Sequence, residues 1–112
     1  MRRGNVWWVN FESSAGGEIR KQRPTIIVSN DDSNRHLNQV QVVPLTSNVD
    51  RLYRGEAYVT LNGKRNKAMA DQIATVSKGR LSNAVGRVAL SDILEVNRAI
   101  KTQLGLLDER HP

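Results

Sequence analysis

The sequence predicts a mainly β, α+β fold: a small twisted antiparallel sheet or partly open barrel, followed by one C-terminal α-helix. Three observations carry this. Short runs of β-branched and aromatic residues, separated by Gly-, Asn- and Ser-bearing turns, recur from Gly4 to Leu90. After them Ile93, Val96 (or Asn97), Ile100, Leu104 and Leu107 return at helical spacing, so one stripe packs on the sheet. With 112 residues and no cysteine, the chain has room for one core and no disulfide staples. Residues 1–112 are therefore expected to form a single domain.

Gly4 to Phe11 reads as the first strand. Val6 and Trp8 share one face, and Trp7, Val9 and Phe11 the other, as in a strand covered on both sides. The tryptophans could stack on bases, but at least one reads as core. Glu12 to Lys21, with Ser13, Ser14, Ala15, Gly16 and Gly17, reads as a flexible loop. It leads straight into Arg23 and is expected to hang over the rim there, as a lid or substrate clamp or as a plain hairpin connection.

Gln22 to Asn30 is the second strand. Pro24 stands at its head, where a missing N–H is tolerated, and holds Arg23 extended. Asn30 to Gln39 reads as a polar loop carrying a solvated His36. Val40 to Leu45 is the third strand, and Pro44 argues that its end lies at a sheet edge or bulge. If Ser29 pairs with Val40, Arg23 falls opposite Thr46, which opens a loop running through Ser47 and Asn48 to Arg54.

Glu56 to Leu61 is the fourth strand. Asn62-Gly63 is a hairpin signal, with the loop extending through Asn66. Lys67 to Val76 resumes an extended pattern in which Asp71 shares a face with Met69 and Ile73, a position that calls for a partner. Ser77 to Ser82 is a connector with a short helical turn, and Asn83 to Leu90 a further strand. Ser91 or Asp92 caps the helix, with Asp92 and Glu95 at capping-box spacing. Gly105 ends it. Arg98 and Lys101 decorate its solvated face, and 108–112, including His111, reads as a loose tail.

Seventeen basic residues oppose 11 acidic ones, a net charge of +6. Between Gly63 and Leu90, Lys64, Arg65, Lys67, Lys78, Arg80 and Arg87 face only Asp71. Such a surplus favours a polyanionic partner, nucleic acid or an acidic disordered protein, although a merely soluble basic domain would look the same. No apolar run approaches the roughly 20 residues of a membrane helix, and no secretory signal is seen. No spacing suits metal ligands, the carboxylates are not clustered for a hard cation, and neither a phosphate-binding glycine loop nor a nucleophile elbow is present. No metal and no cofactor are expected.

What remains is Arg23 beside Thr46. RNA carries its own nucleophile, the ribose 2′-hydroxyl, so a nuclease need only stabilise the charge gathering on phosphorus and help protons move. A guanidinium fork matches phosphate oxygens and never loses its charge. In a dry site such a donor lowers the barrier by about 3 kcal/mol. A hydroxyl from Thr46 or Ser47 can bond the phosphate or relay a proton, and general acid–base help adds about 10²–10⁴-fold. An arginine at a strand rim is more often structural or solvated, and threonine simply favours strands.

The chain resembles the MazF/PemK/Kid family of toxin endoribonucleases. The resemblance rests on Arg2-Arg3-Gly4 before Val6-Trp7-Trp8-Val9, on Gln22-Arg23-Pro24, and on Ile26-Ile27-Val28-Ser29-Asn30. It continues in Val42-Val43-Pro44-Leu45-Thr46-Ser47, in Ala70-Asp71-Gln72-Ile73, and in Gly86-Arg87-Val88 before the last helix. It implies a homodimer of SH3-like barrels in the cytoplasm, cutting single-stranded RNA (mRNA, rRNA or tRNA) at short sequences without a metal. Translation and growth are thereby inhibited. By the same resemblance Arg23 and Thr46 are the catalytic pair, and some members also assign a role to the aspartate that is Asp71 here; Ser47 stays a supporting candidate on its hydroxyl alone. Glu18, Arg20, Lys21 and Gln22, from the family's mobile loop and the strand it enters, and Gln72 are RNA contacts. One branch has an arginine two residues before the aspartate; Met69 stands there in this chain, so that branch's acid–base scheme does not carry over. The partner implied is a cognate antitoxin whose acidic disordered tail occupies the RNA groove. Two alternatives stay open: a CcdB-like gyrase poison of the same fold, and a non-catalytic RNA-binding barrel, for which the chain offers few aromatics.

Overall fold

Adjacent apolar residues such as Ile26-Ile27 and Val42-Val43 suit only strands with both faces covered, since neighbouring side chains point to opposite sides. The computed structural model, which describes residues 1–11 and 21–106, places them so. The strands are β1 (Asn5–Phe11), β2 (Lys21–Ile27), β3 (Gln39–Thr46), β4 (Glu56–Leu61), β5 (Lys64–Met69), β6 (Ala74–Ser77) and β7 (Leu81–Arg87). A short helix α1 (Asp31–His36) and a C-terminal helix α2 (Leu90–Gln103) complete the regular elements, with 3₁₀ turns at Ala70–Gln72 and Lys78–Arg80. The sheet has seven strands in the order β4-β5-β3-β2-β1-β7, with β6 lying off this path against β3. All the pairings are antiparallel.

Two clusters fill the two faces. One packs Val6, Ile26, Val43, Leu45, Val59 and Ala68 against Val96 and Ala99 of α2. The other gathers Val9, Ile27, Val40, Val42, Val76 and Leu81, with Trp7 and Phe11 at its margin. Each buried Val or Ile stabilises the fold by about 1.5–3 kcal/mol.

Several boundaries differ from expectation. Residues 31–36 are helical rather than loop, because the Asn30 side chain accepts the Ser33 N–H at 2.8 Å and caps the turn. Pro44 is not at a sheet edge: it is buried within β3 and pairs with Thr25 of β2. It is tolerated because β3 changes partner on its other side there. Gln39 to Val42 pair with β6, and Leu45 and Thr46 pair with β5. The loop expected through Asn66 is a two-residue turn, with Asn62 at φ 51° and Gly63 at φ 81° and Leu61 already pairing with Lys64. The extended run expected from Lys67 to Val76 breaks where Ala70 N–H bonds Gly55 O at 3.0 Å. Asp71 thus lies exposed in a 3₁₀ turn, not on an apolar face.

Helix α2 begins after Ala89 with no side-chain cap. Asp92 instead accepts the Thr60 N–H at 2.9 Å, tying the helix to β4, so the expected capping box does not form. Arg98, expected to face solvent, donates Nη2 to Glu56 O at 3.0 Å. The C-terminus is as expected. Gly105, at φ 72°, donates to Thr102 O, and Leu106 donates to Lys101 O at 2.8 Å, a Schellman closure. Leu104 is 52% exposed and does not continue the packed stripe. Leu107 and the expected tail with His111 lie outside the described residues, as do residues 12–20 of the expected Glu12–Lys21 loop, whose last residue, Lys21, is already in β2. No helix among the described residues is long and apolar enough to cross a membrane.

Candidate active site

The β2–β3 ladder pairs Thr25 with Pro44, Ile26 with Val43 and Ile27 with Val42. Carried two residues further, the same register sets Arg23 opposite Thr46. Arg23 also faces Val9 across β1–β2, and Thr46 faces Lys67 across β3–β5, which in turn faces Tyr58 on β4. Directly opposed residues share a face, so Val9 and Arg23 lie together on β1–β2 and Thr46, Lys67 and Tyr58 on β3–β5–β4; continuing the β2–β3 register, whose ladder itself ends at Thr25–Pro44, lines the two sets up in one row. The row crosses the sheet where β3 ends, so Arg23 and Thr46 stand at its rim.

A cavity of about 580 Å³ opens at this rim, walled by Trp8, Gln22, Arg23, Pro24, Leu45, Thr46, Ser47 and Asn66. Arg23 and Thr46 are both half-buried. Among the described residues the Arg23 guanidinium has neither an ion-pair nor a hydrogen-bond partner, while its backbone carbonyl accepts the buried Thr25 hydroxyl at 3.0 Å. Thr46 Oγ1 accepts the Asn48 N–H at 3.2 Å. That bond orients the hydroxyl and leaves its own hydrogen available to donate. A permanent cation and an oriented hydroxyl on neighbouring strands can hold a phosphate and stabilise added negative charge on it.

Of the residues singled out from sequence, Gln22, Arg23, Thr46 and Ser47 share this cavity. Lys21 opens β2. Asp71 and Gln72 do not line the cavity. Both are exposed in the 3₁₀ turn after β5, where Gln72 Nε2 contacts Met69 Sδ at 3.6 Å. Glu18 and Arg20 lie outside the described residues. Asn66 reads as loop by its polarity. It is a β5 residue only 9% exposed and forms part of the cavity wall. Trp8 is 38% exposed at the same wall, whereas Trp7 packs on the core.

The basic surplus between Gly63 and Leu90 is partly structural. Lys67 Nζ sits 3.1 Å from Glu56 Oε1 and donates to Arg51 O at 2.7 Å. Lys78 Nζ donates to Asn34 O, and Arg80 Nη1 to Asn10 O at 3.2 Å. Arg65 lies over the Tyr58 ring at 4.2 Å. Among the described residues no three His, Cys, Asp or Glu side chains cluster as a metal site would require.

A seven-stranded antiparallel sheet with a C-terminal helix is the fold of the solved MazF toxins. The chain belongs to the PemK-like, MazF-like toxins of type II toxin–antitoxin systems, whose family model matches residues 2–104. It is 34% identical over 115 residues to the endoribonuclease MazF9 of Mycobacterium tuberculosis, covering 95% of this chain and 98% of that one. A mycobacterial endoribonuclease solved in complex with its cognate antitoxin superposes with a TM-score of 0.80 at 28% identity, covering 96% of this chain and 97% of that one. A MazE–MazF complex from Deinococcus radiodurans shares the fold, with a TM-score of 0.80 at 23% identity and coverage of 96% and 97%.

Proposed function

We propose that this toxin is an endoribonuclease that cuts single-stranded RNA without a metal, using Arg23 and Thr46. The 2′-oxygen forms a new bond to phosphorus and loses its proton. The bond from phosphorus to the 5′-oxygen breaks, and that oxygen gains a proton. Products end in 2′,3′-cyclic phosphate and 5′-hydroxyl. Arg23 donates to the non-bridging oxygens as charge accumulates, and the Thr46 hydroxyl donates to the same group or relays the leaving-group proton. Ser47 stands next to Thr46 as a further hydroxyl, and Gln22 offers an amide to the flanking RNA. The observation that supports this reading is that Arg23 and Thr46, on neighbouring strands, line one open cavity at the sheet rim.

The chain acts as one toxin domain, as a homodimer in the cytoplasm. Cleavage of mRNA there inhibits translation and growth. Its activity is silenced by a cognate antitoxin whose acidic segment competes with RNA for a surface of like preference, consistent with the net charge of +6. The test is incubation of purified protein with a long mixed RNA in excess EDTA, with mapping of both ends at each cut. Cyclic phosphate ends at a short recurring sequence are expected. Loss of all cutting in chelator, or 3′-hydroxyl ends, would overturn the scheme.

A further inference from the structure

The cross-strand row does not stop at Thr46. The β4–β5 hairpin runs on past the end of β3: Thr46 pairs with Lys67, while Lys64, Arg65 and Asn66 continue beyond it to the Asn62-Gly63 turn. Arg65 lies two residues before Lys67 on β5, so it projects from the same face as Arg23 and Thr46. Its guanidinium sits over the Tyr58 ring, 4.2 Å from the centroid. Tyr58 is itself anchored, because its hydroxyl donates to Val49 O at 3.0 Å.

A guanidinium centred over a ring in this way is held in place by the ring face while its N–H groups stay able to meet an acceptor. Among the described residues Arg65 has no hydrogen-bond or ion-pair partner to occupy that fork. In this it differs from Lys67, Lys78 and Arg80, whose donors are bonded within the fold. Arg65 is therefore a preordered cation with open donors, on the face of the reacting pair. Two strand spacings, roughly 10 Å, and two residues, roughly 7 Å, separate its backbone from that of Arg23. That separation suits the next stretch of a polyanion rather than the same phosphate.

We propose that Arg65, held by Tyr58, is a phosphate clamp for the RNA strand beside the cut, with no part in the bond-breaking step. The assignment rests on the endoribonuclease reading and gives the substrate's backbone a path from the rim onto the β4–β5 hairpin. A phosphate contact binds without regard to sequence and releases counterions.

The experiment uses the full chain and a short single-stranded RNA bearing a 2′-deoxy sugar at the mapped cut, which binds but cannot react. Wild type, Arg65→Ala, Arg65→Lys and Tyr58→Leu are titrated at several salt concentrations, with melting temperatures recorded alongside. Arg65→Ala is expected to weaken binding about tenfold at low salt and to lower the slope of log affinity against log salt by about 0.7. Arg65→Lys is expected to restore the slope but only part of the affinity. Tyr58→Leu, which keeps the charge and loses the stack, is expected to weaken binding with little change of slope. On cleavable RNA, KM rises in Arg65→Ala while kcat and the cut sequence stay unchanged. An unchanged salt slope in a folded Arg65→Ala overturns the clamp, as does a fall in kcat with KM unchanged. If wild type binds no RNA and cuts none, the endoribonuclease reading fails instead. If wild type cuts and Arg65→Ala binds as tightly, the clamp alone fails.

Discussion

Lys67 stands directly across the β3–β5 ladder from Thr46, and its ammonium is 3.1 Å from the Glu56 carboxylate. Both partners are 7% exposed. Glu56 also accepts the Tyr53 N–H at 2.9 Å, and Lys67 donates to Arg51 O at 2.7 Å. The pair thereby pins the segment that follows Thr46 to the sheet at Arg51 and Tyr53. Removing one partner leaves the other as a buried, uncompensated charge. Lys67→Met is expected to cost about 3 kcal/mol or more in urea unfolding. Adding Glu56→Gln, which keeps an acceptor for Tyr53, should restore much of that loss. Equal stability of the single and double variants would show that the carboxylate is not held against the ammonium.

Thr46 serves two purposes that substitutions can separate. Its oxygen accepts the Asn48 N–H, and its hydrogen remains to donate. Thr46→Ser keeps both features and should retain most of the cutting rate. Thr46→Val loses both and should lower the rate by about 10²-fold or more, while binding of the uncleavable RNA falls little. Single-turnover cleavage rates, beside binding titrations, decide it.

Arg23→Ala should lower the cleavage rate by about 10²–10³-fold, the range found when one donor to a developing oxyanion is removed. Arg23→Lys keeps the charge without the planar fork and should recover only a minor part. Melting temperatures should barely move, because among the described residues only the backbone carbonyl of Arg23 is engaged by a side chain.

Gly63 isolates the cost of backbone conformation. It sits at φ 81°, and an added Cβ would meet nothing within 4 Å. Gly63→Ala therefore introduces no clash and should destabilise the fold by about 1 kcal/mol through the left-handed backbone alone. Because the hairpin sets the position of Arg65, RNA affinity in this variant reports whether the turn keeps its register.

Asp31 predicts one acid-sensitive step. The backbone N–H of Arg3, 2.7 Å from Oδ1, holds its carboxyl below the ordinary value of 3.8, helped by the Asn34 amide and the Arg2 charge and opposed by burial. A depressed folded value means that ionised Asp31 stabilises the protein above the ordinary carboxylate range. That contribution disappears as pH falls through the folded value. Asp31→Asn should be less stable than wild type at neutral pH, and the gap should close on acidification below 3.8. Chemical denaturation across that range checks the sign.

The sheet was legible where neighbouring residues had to face opposite ways. Ile26-Ile27 and Val42-Val43 each divide between the two core clusters. That requirement sets the register that puts Arg23 against Thr46. Elsewhere local polarity misled. Lys64, Arg65 and Asn66 read as loop because their strand is held by cross-strand partners and by Tyr58, which no local window contains. The alternation from Lys67 to Val76 concealed a 3₁₀ turn, because Ala70 finds its hydrogen bond at the distant Gly55. Asp92 had the spacing of a cap, yet its carboxylate is drawn to Thr60 on another element. Helix α1, six residues long, is too short to show a period; its signals were the cap Asn30, the acidic Asp31 and Asp32 after it, and the basic Arg35 and His36 at its end.

The change of partner along β3 divides responsibilities within one strand. Upstream of Pro44 the strand is flanked by β6 and β2 and its Val40, Val42 and Val43 are fully buried, so that half belongs to the core. Downstream, the segment answers to β5, and the residues after Thr46 are held to the sheet through the backbone groups of Val49, Arg51 and Tyr53, which leaves their side chains freer to vary than their path. A lineage of such toxins can therefore acquire new target sequences by altering side chains at the rim while inheriting the same core.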